Sequence, residues 1–106
     1  MLTQKLCYCQ IEHKKISLKF CEKLEKELKT ISSASKTALI LALENPHCVC
    51  ELMQLTELSQ TLISHHLSEF QKQGIVYFKQ EGRFKRYFLT EKGNNLLAIL
   101  KEFQNL

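Results

Sequence analysis

Glycine is scarce in this sequence, with three residues in 106. That is too few for the glycine-rich loops that cradle nucleotide phosphates. No apolar run approaches the ~18–20 residues needed to cross a bilayer, so no membrane partner is expected. The opening residues do not read as a secretion signal, because Lys5 is followed by Cys7, Gln10, Glu12 and His13 with no apolar segment between them. A cytoplasmic location is the resulting expectation. There is no Ser/His/Asp or Glu/His set of the kind that catalysis uses, which argues against an enzyme. Repeats, low-complexity runs and long linkers are absent as well.

What is present fits one small domain with a modest core, for which burial against a second copy would help. Hydrophobic residues make up 44% of the chain, too many for a disordered tail. Fifteen Lys and Arg against 11 Asp and Glu give a net charge of +4, which favours a polyanionic partner. Cysteine is abundant and odd in number, at five. With no secretion signal, reduced thiols serving a metal or a redox response are expected in place of a disulfide framework.

The chain divides into an arm, residues 1–16, and a folded region, residues 17–106. The arm is polar and mixed, with Cys7-Tyr8-Cys9 at its centre. From Ser17 to Thr30 the spacing predicts a helix: Phe20, Cys21, Leu24, Leu28 and Ile31 recur three or four apart. Glu22–Lys26 and Glu25–Lys29 are favourable pairs one turn apart. Cys21 lies on the apolar stripe and is expected in the core. A serine-rich turn follows, and Ser35 is expected to cap a second helix running to about Glu44, apolar nearly all round at Ala38–Leu43 and therefore buried. Asn45-Pro46 predicts the start of a third helix, with Asn45 as cap and Pro46 in the first helical position. It would open on His47-Cys48-Val49-Cys50 and run to about Leu55.

The stretch Leu58–Leu67, LSQTLISHHL, predicts a fourth helix. Ser59 is a natural N-cap. Leu62, Ile63, Leu67 and Phe70 share one face, while Gln60, Thr61, Ser64 and His65 occupy the other face or the tip. Short uncharged donors and acceptors of this kind suit a helix that enters a major groove. They would equally suit the polar outer face of an ordinary buried helix. His66 is expected to pack or to touch a phosphate. Two short helices so closely joined form a helix-turn-helix, and Gly74 ends the second. Ile75–Lys79 and Phe84–Leu89 then predict a two-stranded hairpin turning at Glu81-Gly82. Lys79, Arg83, Lys85 and Arg86 on it are candidate phosphate or minor-groove contacts, although lysine also protects exposed sheet edges. Thr90 caps a last helix with a stripe of Leu96, Leu97, Leu100 and Phe103. The expected fold class is mainly α with a two-stranded β-wing, a winged helix-turn-helix of order α-α-α-α-β-β-α.

Cys48 and Cys50 sit at a helix start. Deep in a helix, residues two apart diverge by roughly 200°, but at its mouth the first residue is half outside and the two sulfurs can converge. A helix start also favours the thiolate, which is the ligand form of cysteine. Soft thiolates select soft ions. The alternative is that both are small apolar residues in the core.

The strings CVCEL (Cys48–Leu52), LSQTLISHHL (Leu58–Leu67), GIV (Gly74–Val76) and EGRFKRYFL (Glu81–Leu89), in this order, resemble the ArsR/SmtB family of metal-sensing repressors over about Lys36 to Gly93. The resemblance implies a homodimer, joined through its first and last helices, that binds double-stranded operator DNA and releases it when a thiophilic ion binds. The candidate effectors are Cd(II), Pb(II), Zn(II) and trivalent arsenic or antimony. Cys48-Val49-Cys50 looks like the family's thiolate metal box. Arsenic-sensing relatives commonly carry a third cysteine where this chain has Met53. The cadmium- and lead-sensing branch adds cysteines from an N-terminal arm, which implies Cys7 and Cys9 as further ligands. The zinc-sensing branch uses histidine on the last helix, and this sequence has no histidine after His66. His47 beside the box is expected to be an exposed helix-start residue, and His65 to face DNA. Two other readings remain: a redox or sulfide switch through a disulfide, and a winged helix that binds protein.

Overall fold

A computed structural model describes residues 15–105. Within them the chain forms α1 (Leu18–Thr30), α2 (Ala34–Ala42), α3 (Val49–Thr56), α4 (Gln60–Lys72), β1 (Val76–Glu81), β2 (Phe84–Leu89) and α5 (Glu91–Gln104). This is the expected order. Ser17 caps α1 by accepting the Phe20 N–H at 3.2 Å, and Glu25–Lys29 closes at 3.7 Å.

The cap of α2 is Ser33, two residues before the expected Ser35; its Oγ accepts the Lys36 N–H at 3.2 Å. Ser35 lies in the first turn instead, and its Oγ is 2.9 Å from His66 Nε2 on α4. The helix stops at Ala42, short of Glu44. Its Leu39, Ile40 and Leu43 are the centre of the core. Leu52 of α3, Ile63, Leu67 and Phe70 of α4, Tyr87 and Leu89 of β2, and Leu96 and Leu97 of α5 close around them.

α3 does not begin at Pro46. His47 and Tyr87 exchange two backbone bonds, His47 N–H to Tyr87 O at 3.2 Å and Tyr87 N–H to His47 O at 2.8 Å. This isolated bridge holds the chain extended at His47, so Cys48 becomes the N-cap and Val49 the first helical residue. At the other end of the helix-turn-helix turn, Ser59 caps α4 as expected, accepting the Leu62 N–H at 3.1 Å.

Gly74 follows α4 with φ +74°, the left-handed conformation that glycine adopts without steric cost. β1 and β2 pair antiparallel from Val76↔Leu89 to Glu81↔Phe84, leaving Gly82-Arg83 as the loop. The first strand is thus shifted one residue toward the tip from the expected start at Ile75. Thr90 caps α5 through its Oγ, which accepts the Gly93 N–H at 3.1 Å. Gly93 has a packing role: a Cβ there would lie 2.3 Å from the Ile75 carbonyl oxygen.

α1 stands apart from this core. Phe20, Leu24 and Leu28 are exposed, and so are Ile99 and Phe103 on α5. Cys21, expected in the core, is exposed with its stripe, because nothing within the described chain covers that face. An ion pair, Glu27–Lys92, joins α1 to α5 at 3.0 Å. No helix among the described residues is long and apolar enough to cross a membrane.

Candidate nucleic-acid interface and thiol cleft

The polar residues of α4 lie outward. Ser59, Gln60, Thr61, Ser64 and His65 are exposed, while Ile63, Leu67 and Phe70 face the core. His66 is buried at 7% exposure and is bonded to Ser35. It therefore packs against α2. Its Nδ1 has no hydrogen-bond partner, and Glu69 Oε1 is 3.7 Å away. Glu69 also meets Lys36 of α2 at 3.7 Å and His65 at 3.8 Å. This cluster ties the outward-facing helix to the core helix behind it.

The wing cations are held in three different ways. Lys79 Nζ lies 5.3 Å from the centroid of Phe88, and Lys85 Nζ 4.5 Å from that of Phe78, so aromatic rings support both stems. Arg83 is exposed in the two-residue loop. Arg86 turns inward: Nε donates to Glu81 Oε1 at 2.9 Å and a terminal nitrogen donates to the Pro46 carbonyl at 3.3 Å. The bond to Glu81, first, and that carboxylate's charge hold the guanidinium pKa above its ordinary value.

Glu51 gathers the start of α3. One carboxylate oxygen accepts the Cys48 N–H at 3.1 Å, lies 3.1 Å from His47 Nδ1 and stands 3.9 Å from Arg86. The Cys48 bond, then the His47 bond, keep its pKa below the usual carboxylate value. His47 is accordingly a half-buried junction residue and not the exposed one expected. The pattern Cys48-x-x-Glu51 is a capping box with cysteine at the cap, a signal present in the sequence. Tyr87, its backbone bridged to His47, is buried, and burial raises its hydroxyl pKa.

Between the mouth of α3 and the wing lies a cleft of about 410 Å³. Cys48 lines it from the N-cap of α3, Cys50 and Met53 from the helix itself, Gln60 from α4, and Arg83, Phe84 and Lys85 from the wing. Cys48 is half-buried and Cys50 exposed. The sequence pairs these two thiols, and the fold brings both to one cleft together with candidate DNA-binding residues. Two thiols and a thioether around a cleft suit a soft cation. Among the described residues no three His, Cys, Asp or Glu side chains converge as a metal site. Cys7 and Cys9 lie outside the described residues.

Residues 39–77, the segment from α2 to the start of the wing, match the family model described as "Bacterial regulatory protein, arsR family". The chain is 38% identical over 53 residues to a putative arsenical resistance operon repressor of Halobacterium salinarum, covering 50% of this chain and 41% of that protein. It is 30% identical over 79 residues to the cadmium resistance transcriptional regulatory protein CadC of Listeria innocua, covering 72% and 66%. In three dimensions it resembles the transcriptional repressor BigR of Xylella fastidiosa, with TM-score 0.72 and 29% identity over 80% of this chain and 86% of that one. The chain belongs to the ArsR family. It spans less than half the length of the halobacterial relative.

Proposed function

We propose that this chain is a homodimeric transcriptional repressor that releases operator DNA when a thiophilic metal or metalloid ion binds its cysteines. The observation that carries this reading is the shared cleft: Cys48 and Cys50 line the same space as Gln60 of α4 and Arg83 and Lys85 of the wing. An ion drawn to the thiols would act beside the DNA-reading surface. The arsenic- and cadmium-resistance names of the relatives agree with such an effector.

In the DNA-bound state, α4 enters the major groove with Gln60, Thr61, Ser64 and His65 toward base edges and phosphates. Arg83, Lys79 and Lys85 meet the backbone beside it, where cations gain by displacing condensed counterions. The partner copy covers Phe20, Leu24 and Leu28 of α1 with Ile99 and Phe103 of α5, an exposed apolar set too large to leave in water. Ion binding at Cys48 and Cys50, joined by Cys7 and Cys9 of the arm for a four-sulfur ion such as Cd(II) or Pb(II), changes the start of α3. Glu51 and Arg86 pass that change to the wing. A coupling of ~1–3 kcal/mol is the ordinary scale for such a response.

The test is fluorescence anisotropy of labelled operator with the reduced protein under argon. Cd(II), Pb(II), Zn(II) and arsenite are titrated into the complexes of wild type, Cys48→Ser/Cys50→Ser and Cys7→Ser/Cys9→Ser. The box variant is expected to bind DNA and to stay bound at all ion concentrations. The arm variant is expected to respond more weakly to Cd(II) and Pb(II). Release of the box variant as readily as wild type would overturn the thiolate-sensor reading. Release by oxidant in the absence of metal, reversed by reductant, would replace it with a redox switch.

A further inference from the structure

Met53 lines the cleft with Cys48 and Cys50. We propose that its thioether is the third ligand of a three-sulfur site that selects a soft monovalent cation, Cu(I) or Ag(I). The inference rests on the thiolate-sensor reading and adds to it a ligand and an ion class.

Three features support it. Met53 is 36% exposed although it is a large apolar residue next to the fully buried Leu52, so it points away from the core and is not absorbed by it. It follows Cys50 by three residues on α3, which places the two side chains only ~60° apart around the helix axis. Cys48 is the extended N-cap, with ψ 170°, and so approaches the same cleft from outside the helical turn.

Charge then discriminates among ions. A thioether is neutral and soft, and it adds no negative charge. Uptake of Cu(I) displaces two thiol protons to solvent and forms two Cu–thiolate bonds and one Cu–thioether bond, with no change of oxidation state. The complex carries one negative charge, and Arg83 and Lys85 line the same cleft. Trivalent arsenic seeks three thiolates, and a divalent ion that prefers four ligands would need the arm. A monovalent ion content with two or three sulfurs is served by the described residues alone.

The experiment uses the full chain carrying Cys7→Ser/Cys9→Ser, so that the arm contributes no thiols. Cu(I) is supplied from a chromogenic chelator under argon, and Ag(I) serves as a redox-inert probe. Met53→Leu, close to methionine in volume, is expected to weaken both ions roughly tenfold. It should also reduce the sulfur coordination seen by copper X-ray absorption from three to two. Met53→Cys is expected to strengthen arsenite binding. Unchanged Cu(I) and Ag(I) affinity and an unchanged absorption spectrum in Met53→Leu, with binding abolished in Cys48→Ser/Cys50→Ser, would overturn the thioether ligand and leave the thiolate box standing. Unchanged binding in Cys48→Ser/Cys50→Ser would overturn both.

Discussion

Arg86 Nε and Glu81 Oε1 lie 2.9 Å apart, a contact that turns a candidate DNA-binding cation back onto its own wing. The same guanidinium reaches the Pro46 carbonyl, just before the thiol box. The wing cations therefore differ in their surroundings. Arg83 stands exposed in the loop, while Arg86 fastens the hairpin to the mouth of α3.

The two arginines are expected to behave differently when truncated. Arg83→Ala should weaken binding to operator and to random DNA alike, and lower the slope of log affinity against log salt by roughly one for the lost phosphate contact. Arg86→Ala should change that slope less and lower the melting temperature more. Anisotropy over a salt series, with thermal melts of both variants, measures the difference. Matching slope changes would place Arg86 on the DNA as well.

Gln60 lies at the exposed start of α4 and also lines the thiol cleft. A side-chain amide paired with a base edge contributes roughly 1–3 kcal/mol of discrimination. Gln60→Ala is expected to reduce the preference for operator over random DNA while leaving random-DNA affinity nearly unchanged. Competition binding with the two DNAs reads this directly. Equal losses on both would assign Gln60 to the backbone.

Much of this arrangement was legible in the sequence because its signals are local. Ser59 and Thr90 each cap the helix that follows them, and the Gly82 loop joins two strands rich in aromatic residues. The errors arise where a distant residue decides. Pro46 reads as a helix start until Tyr87, from the far strand of the wing, takes the backbone of His47. Ser33 and Ser35 are equally good caps locally, and His66 on another helix engages Ser35. Cys21 sits on a regular apolar stripe, but periodicity identifies a face without saying which chain covers it.

Gly93 packs its backbone against the Ile75 carbonyl, at the joint between α5 and the wing. Gly93→Ala would place a methyl group 2.3 Å from that oxygen, and the carbonyl also accepts the Thr90 N–H. The neighbour is backbone and cannot yield cheaply. Helix propensity alone would favour alanine, so the sign of the effect separates packing from propensity. Destabilisation of about 1–3 kcal/mol or more is expected in urea unfolding, the scale of overpacking in a filled core.

Glu69 gives a pH dependence. Partial desolvation, the largest single influence, would raise its pKa; Lys36, His65 and His66 together outweigh it, and the net shift is downward. A carboxylate with a lowered folded-state pKa contributes stability above its unfolded pKa, and this is lost as pH falls through the folded value. Glu69→Gln should therefore be less stable than wild type at about pH 7, with the gap closing toward about pH 3. Urea unfolding at both pH values measures it. A gap that persists in acid would mean that Glu69 acts through packing and not through charge.

The reciprocal His47–Tyr87 bonds give this molecule an internal reporter. Each amide proton is shielded by the other residue's carbonyl, across the seam between the thiol-bearing segment and the wing. Both can exchange with deuterium only when that seam parts. Their exchange rates therefore count openings of the seam, and a ligand that pries the wing from α3 would speed both amides together while leaving the buried interior of α2 unchanged.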